Sequence, residues 1–171
     1  LATIHEIDRS VLSVLDPSRI VDTVLARLRE VSPCQGLAVL LIDPSDRTRG
    51  WLYARLGPES KQTTMQGVTV TEAESRMLTT HRDGSTLLQP DGTGAFAALS
   101  GQGSVSLLVL PLFRSHELLG GIVLSYRTAP DIHQDHVVQL RQLADQVAVA
   151  LSNASDLAER KRAETSLRES H

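Results

Sequence analysis

The sequence of 171 residues is short of cysteine and of aromatic residues: one Cys, one Trp, two Phe and two Tyr. The single thiol, Cys34, excludes an intramolecular disulfide and any metal site built from several cysteines. An aromatic share of 3% is poor material for stacking nucleobases. No Lys/Arg block is long enough to track phosphates, and the formal net charge is −3, so nucleic acid is disfavoured as a partner. No apolar run approaches the roughly 18 residues that cross a bilayer, and no basic-then-apolar leader opens the chain. These absences predict a cytoplasmic protein with no membrane partner. The chain begins at Leu1 and stops inside a predicted helix, the pattern expected of a fragment.

What is present is aliphatic, with 41% hydrophobic residues, enough for one domain with a real core. Residues 2–15 carry Ile4, Ile7, Val11, Leu12 and Leu15 at helical spacing. Asp16-Pro17 breaks and restarts the chain, with Asp16 as cap and Pro17 in the first helical position. Ile20, Val21, Val24, Leu25, Leu28 and Val31 mark one face of the second helix, which Ser32-Pro33 ends. GLAVLLID, residues 36–43, is a strand buried on both faces. WLYARLG, residues 51–57, alternates, with Trp51, Tyr53 and Arg55 on one face and Leu52, Ala54 and Leu56 on the other. The two form a hairpin.

Residues 58–70 are polar. Thr71-Glu72-Ala73-Glu74 is a capping box that opens a short helix to about His81, stopped by Gly84. Residues 85–88 are a weak strand. Residues 89–103, QPDGTGAFAALSGQG, are predicted to be a mobile loop or a lid over a pocket. Residues 104–127, SVSLLVLPLFRSHELLGGIVLSYR, read as the central hairpin. Pro111 belongs at a bulge or strand end, and Gly120-Gly121 marks a bulge or a close approach. The last helix begins near His133, with Ile132 stapled to Val137. It carries Val137, Leu140, Leu143, Ala144, Val147, Ala148 and Leu151. Residues 156–171 are charged and helix-favouring, and positions 140, 143, 147, 150, 154 and 157 keep a three-four spacing that predicts pairing with a parallel partner.

This order of elements resembles a GAF domain, the small-molecule-binding and dimerising module of signalling proteins. The most specific part is residues 107–154: an apolar strand with Pro-Leu near its end, a short turn, Leu-Leu-Gly-Gly-Ile-Val-Leu, then LRQLADQVAVALSNA. The tail LAERKRAETSLRES resembles the signalling helix that leads into a PAS domain in histidine kinases and diguanylate cyclases. The resemblance implies an α+β fold. A central antiparallel sheet of five to six strands would carry the N- and C-terminal helices on one face and a short helix plus loops on the other. It divides the chain into a sensor domain, residues 1–155, and a signalling helix or coiled-coil linker, residues 156–171. Helix 2–15 would be part of a dimer interface.

The resemblance also implies a non-enzymatic regulatory domain, a homodimer through its terminal helices. It would sense a small molecule and signal to a covalently linked output domain. The pocket is expected to use Trp51, Tyr53, Arg55, Met77, His81 and Phe96, with Arg55 as the anion partner. The dimer and signalling stripe is Leu140, Leu143, Val147, Ala150, Ala154 and Leu157. Covalent bilin attachment, which in this family uses a cysteine late in the domain, is not expected, because Cys34 precedes the first strand. The cyclic-nucleotide signature is missing: Asn153 is the only asparagine. Haem stays open through His81 or, less suitably, His116. Asp131, His133, Asp135 and His136 crowd the last helix start, where capping explains them better than a metal does. No nucleophile motif or phosphate loop is present. A ligand-free interaction module and a haem-type redox or gas sensor are the alternatives.

Overall fold

A computed structural model of the chain describes residues 17–57, 59–82, 85–89, 94–100, 106–128 and 134–169. The predicted helix 2–15, the Asp16 cap, the Gly84 stop, Asp131, the Ile132 staple and His133 lie outside the described residues. The elements run α1 (Pro17–Val31), β1 (Gly36–Ile42), β2 (Arg49–Leu56), β3 (Thr64–Thr69), α2 (Glu72–Thr80), β4 (Thr86–Leu88), α3 (Ala97–Ser100), β5 (Ser106–Arg114), β6 (Glu117–Tyr126) and α4 (Gln134–Glu169). The six strands form one antiparallel sheet in the order β3-β2-β1-β6-β5-β4. This is the α+β architecture expected.

Strand alternation sorts the core into two layers. On one face Leu37 and Val39 of β1, Leu108, Leu110 and Leu112 of β5, and Ile122 and Leu124 of β6 pack against α1 and α4. The helices supply Val21, Val24, Leu25 and Leu28, then Leu140, Ala144, Val147, Ala148 and Leu151. On the other face Ala38, Leu40, Leu52, Ala54, Leu107, Val109 and Val123 lie under α2 and residues 95–99. β1 and β6 are buried almost throughout, because both sheet faces are covered there.

The β1–β2 turn is held by two aspartates. Asp43 Oδ1 accepts from the backbone N–H and hydroxyl of Ser45, and Asp46 Oδ1 accepts from those of Thr48. These bonds hold both carboxyls below their usual pKa. Polar residues 64–69 form the edge strand β3, where an unpaired row tolerates exposed polar side chains.

The β5–β6 hairpin contains the expected irregularity. The register shifts between Leu112 and Phe113: Leu112 pairs with Gly120 but Phe113 with Leu118, leaving Leu119 extra. Gly120 is required here, since a Cβ on it would stand 1.8 Å from the Leu40 carbonyl oxygen of neighbouring β1. Pro111 lies just before the bulge, and its carbonyl accepts from Arg141 of α4 at 3.0 Å.

α4 is one helix of 36 residues, unbroken across positions 155 and 156. Its length is about 54 Å.

Candidate functional site

The face away from the terminal helices is roofed by α2. Thr71 Oγ1 accepts from the Glu74 N–H at 3.1 Å, and Glu74 Oε1 accepts from the Thr71 N–H at 3.0 Å, the capping box read from the sequence. α2 has one fully buried side chain, Leu78, in the apolar cluster below. Burying one leucine contributes about 1.5–3 kcal/mol, so this short roof is lightly fastened.

Its second fastening comes from the long loop. Glu74 Oε2 accepts the Ala95 N–H at 2.9 Å. Behind that bond Ala95, Phe96 and Leu99 are buried in the cluster containing Leu78 and the sheet. Residues 94–99 of the predicted loop or lid are thus seated on the sheet. Phe96 and Leu99 give this part of a glycine-rich stretch enough apolar surface to seat it on the sheet.

The six predicted pocket residues do not converge. Met77 is half-buried and Phe96 buried, both on the roofed face. His81 is exposed, as the C-cap of α2, its N–H donating to the Met77 carbonyl at 3.3 Å. Trp51, Tyr53 and Arg55 share a strand face as predicted, but it is the opposite one. Tyr53 packs in the cluster under α1 and α4. Arg55 donates to the Thr63 hydroxyl at 3.2 Å and to the Asp22 carbonyl of α1 at 3.4 Å. Trp51 is 40% exposed near the sheet edge, with Met65 of β3 at 60%. A single set lining one pocket is therefore corrected. Leu52 and Ala54, between those three in sequence, face the roofed side.

The terminal-helix face has its own concavity. Between α1 and α4 runs a groove of about 350 Å³. Ile20, Val24, Leu143, Val147 and Ala150 line it, with Arg19 and Arg27. The predicted stripe is divided by this packing. Leu140 and Val147 are buried in the domain's own core, while Leu143, Ala150 and Ala154 stay partly exposed. Nothing is described of the Leu157 side chain.

A polar junction joins the start of α4 to the sheet. The buried Ser32 hydroxyl lies 3.2 Å from the Tyr126 hydroxyl and 3.1 Å from His136 Nε2. Burial pushes the Tyr126 pKa up, opposed by its bond to Ser32. Cys34 packs against the helix-side cluster, and burial pushes its thiol up to about 11, against the attraction of Arg29. Such a thiol is protonated and weakly nucleophilic at neutral pH. Sequence spacing gave no sign of this junction, because its members are 94 and 104 residues apart.

His116 lies exposed in the β5–β6 turn with Nδ1 3.1 Å from Arg82, whose guanidinium covers the Phe113 ring at 4.7 Å. Among the described residues, no group of three or more His, Cys, Asp or Glu is placed to hold a metal ion. Among them, no helix is long and apolar enough to cross a membrane.

A six-stranded antiparallel sheet, with long terminal helices on one face and a short capped helix on the other, defines a sensory regulatory domain of the GAF class. The GAF domain family model matches residues 16–151, and the chain belongs to that family. The GAF domain of a two-component sensor histidine kinase from Bacillus halodurans is similar in fold. Its TM-score is 0.66 at 15% identity, covering 84% of this chain and 99% of that one. The blue-light-absorbing form of the Thermosynechococcus elongatus PixJ GAF domain gives 0.63 at 18% identity, with 91% and 95% covered. The GAF domain/HD domain protein from Geobacter sulfurreducens gives 0.58 at 14%, with 83% and 95% covered. No curated protein matches the chain significantly.

Proposed function

We propose that this GAF domain is a non-enzymatic, cytoplasmic sensing and dimerisation unit. It binds a small molecule on the roofed face and passes its state through α4 to an output domain of histidine kinase or diguanylate cyclase type, with a PAS domain following the helix. The observation that carries this reading is α4 itself. Residues 140–151 of this helix are packed into the sheet, and the helix then continues to Glu169 without a break. A rigid helix seated on a sensor sheet converts a change in the sheet into a displacement at its far end. A ligand acts by binding one arrangement better than the other.

Dimerisation through the terminal helices is supported by the groove beside α1 and by exposed apolar residues on α4. Val149 is 60% exposed, and Leu143 and Ala150 are half-exposed at the groove. A second copy's helix would cover them. Sedimentation velocity at micromolar concentration is expected to give a dimer, and Leu143→Glu a monomer of unchanged circular dichroism. A strictly monomeric wild type would sink the dimer.

A second reading, a ligand-free interaction module, is favoured by the buried Leu78, Phe96 and Leu99, which occupy the space under the roof. Native mass spectrometry of cell-purified protein decides between them: a retained small molecule supports the sensor. Haem sensing through His81 has less support, since His81 is exposed at a helix end. A haem-supplemented preparation is expected to show no Soret band that His81→Ala removes.

A further inference from the structure

We propose that Glu74 is a latch holding residues 94–99 shut over a binding site for a neutral, apolar small molecule. The molecule enters by taking the places of Phe96 and Leu99. The inference rests on the sensor reading above and adds its gate and ligand class.

Glu74 is committed on both oxygens. Oε1 accepts from the Thr71 N–H and hydroxyl, each at 3.0 Å, and Oε2 accepts the Ala95 N–H at 2.9 Å. One carboxylate thus caps the roof helix and ties the loop to it, across 21 residues of sequence. The loop is shaped to receive it. Gly94 has φ +76°, and a Cβ there would lie 2.8 Å from both carboxylate oxygens. Only glycine combines that backbone angle with that approach. The tied segment is slight: α3 has four residues, too few to be a stable helix alone.

What the segment covers sets the ligand's chemistry. The cluster beneath it is aliphatic, with Ala54, Leu78, Leu107, Val109 and Val123 around Phe96 and Leu99. The buried hydroxyl on this side, Ser125, already donates to the Gly36 carbonyl at 3.2 Å. These side chains offer a carboxylate or phosphate no hydrogen-bond donor, so an anion placed among them would be buried unpaired. An aromatic or hydrocarbon molecule would replace the withdrawn side chains at like polarity. While the latch is shut, apparent affinity is reduced by the small fraction of open molecules.

The test compares wild type with Glu74→Gln and Gly94→Ala. The amide introduced by Glu74→Gln has one acceptor oxygen where the carboxylate has two, and Gly94→Ala sets a methyl against the same carboxylate from the loop side, so the tie is disturbed from both partners. Amide hydrogen exchange at residues 95–99 is read beside titration with N-phenyl-1-naphthylamine, a neutral fluorescent probe. Its sulfonated analogue, 1-anilinonaphthalene-8-sulfonate, is titrated in parallel. Both variants are expected to exchange faster at Ala95 and to bind the neutral probe about tenfold more tightly, at one per chain. The sulfonate is expected to gain less. Unchanged exchange at Ala95 in both variants overturns the latch. Faster exchange without tighter binding overturns the gate, and an equal gain by the sulfonate overturns the ligand class. None of these three outcomes touches the sensor reading, which native mass spectrometry of the wild type decides separately.

Discussion

Adjacent glycines in β6 are predicted to respond very differently to alanine. At Gly120 the new Cβ would stand 1.8 Å from the Leu40 carbonyl oxygen, 2.8 Å from its carbon and 3.2 Å from Leu41 Cα. All three are backbone atoms of β1, which is paired on both sides and cannot move without opening a ladder. At Gly121 the nearest atom is the tip of Leu78 at 3.2 Å, a side chain that can rotate, and the Leu110 carbonyl oxygen follows at 3.4 Å. Overpacking against flexible atoms costs about 1–3 kcal/mol, and a rigid backbone sets the upper end. Removing the unfolded-state freedom of glycine returns about 0.4–1 kcal/mol in either variant.

Gly120→Ala should therefore lose about 3 kcal/mol or more, and Gly121→Ala about 1 kcal/mol or less. For a chain of this size those figures correspond to Tm decreases of roughly 6–12 °C and 2–4 °C or less. Equilibrium urea unfolding measures both, with an unchanged m-value required for the comparison. A second expectation ties the hairpin to the roof. Leu78→Ala and Gly121→Ala should be less harmful together than their sum, by about 0.5–1 kcal/mol, because the new methyl enters the space the leucine leaves. Equal losses for the two glycine variants, or strict additivity at Leu78, would refute the packing described.

Two further outcomes are expected. Cys34, with its thiol near 11 against an ordinary 9.0, should resist alkylation in the native state at pH 8 and react once unfolded. The unfolded thiol ionises first, so its contribution to stability is whole below about pH 9. It then falls as pH rises toward about 11, by at most about 2.7 kcal/mol; a Cys34→Ser variant with the same alkaline slope would show that other groups set it. Tyr126→Phe removes one hydroxyl of the Ser32 junction and should cost roughly 1 kcal/mol. It should also accelerate amide exchange in the first turns of α4. No change in either quantity would show that the junction does not hold the helix.

The elements were legible where one physical signal dominated. The apolar runs of β1 and β5 fixed strands buried on both faces. Asp16-Pro17 located the start of α1, and Thr71 with Glu74 located α2 through its cap. β3 carries no signal in the sequence, because an edge strand needs no apolar pattern and its residues are stabilised by pairing with β2. The bulge at Gly120 was legible as an irregularity, but its partner, the backbone of Leu40, required the strand order.

The site was less legible, and the reason lies in strand geometry. Alternation divides WLYARLG correctly into two faces, yet the division has no sign: it does not say which face meets which layer. Trp51, Tyr53 and Arg55 were the more conspicuous set, and a pocket was expected where the aromatic and charged groups lay. The structure gives that face to α1, because Tyr53 and the stem of Arg55 offer a broad surface for a helix to cross, with the Arg55 guanidinium reaching the Asp22 carbonyl. The roofed face received the plain residues, Leu52 and Ala54, whose small aliphatic surface accepts Leu99 and Phe96 from the loop. A face able to accept side chains from its own chain has the polarity to accept an apolar molecule in their place. At the proposed site, apparent affinity then depends on what holds the loop, here a carboxylate whose second oxygen finds its partner, the Ala95 N–H, 21 residues along the chain.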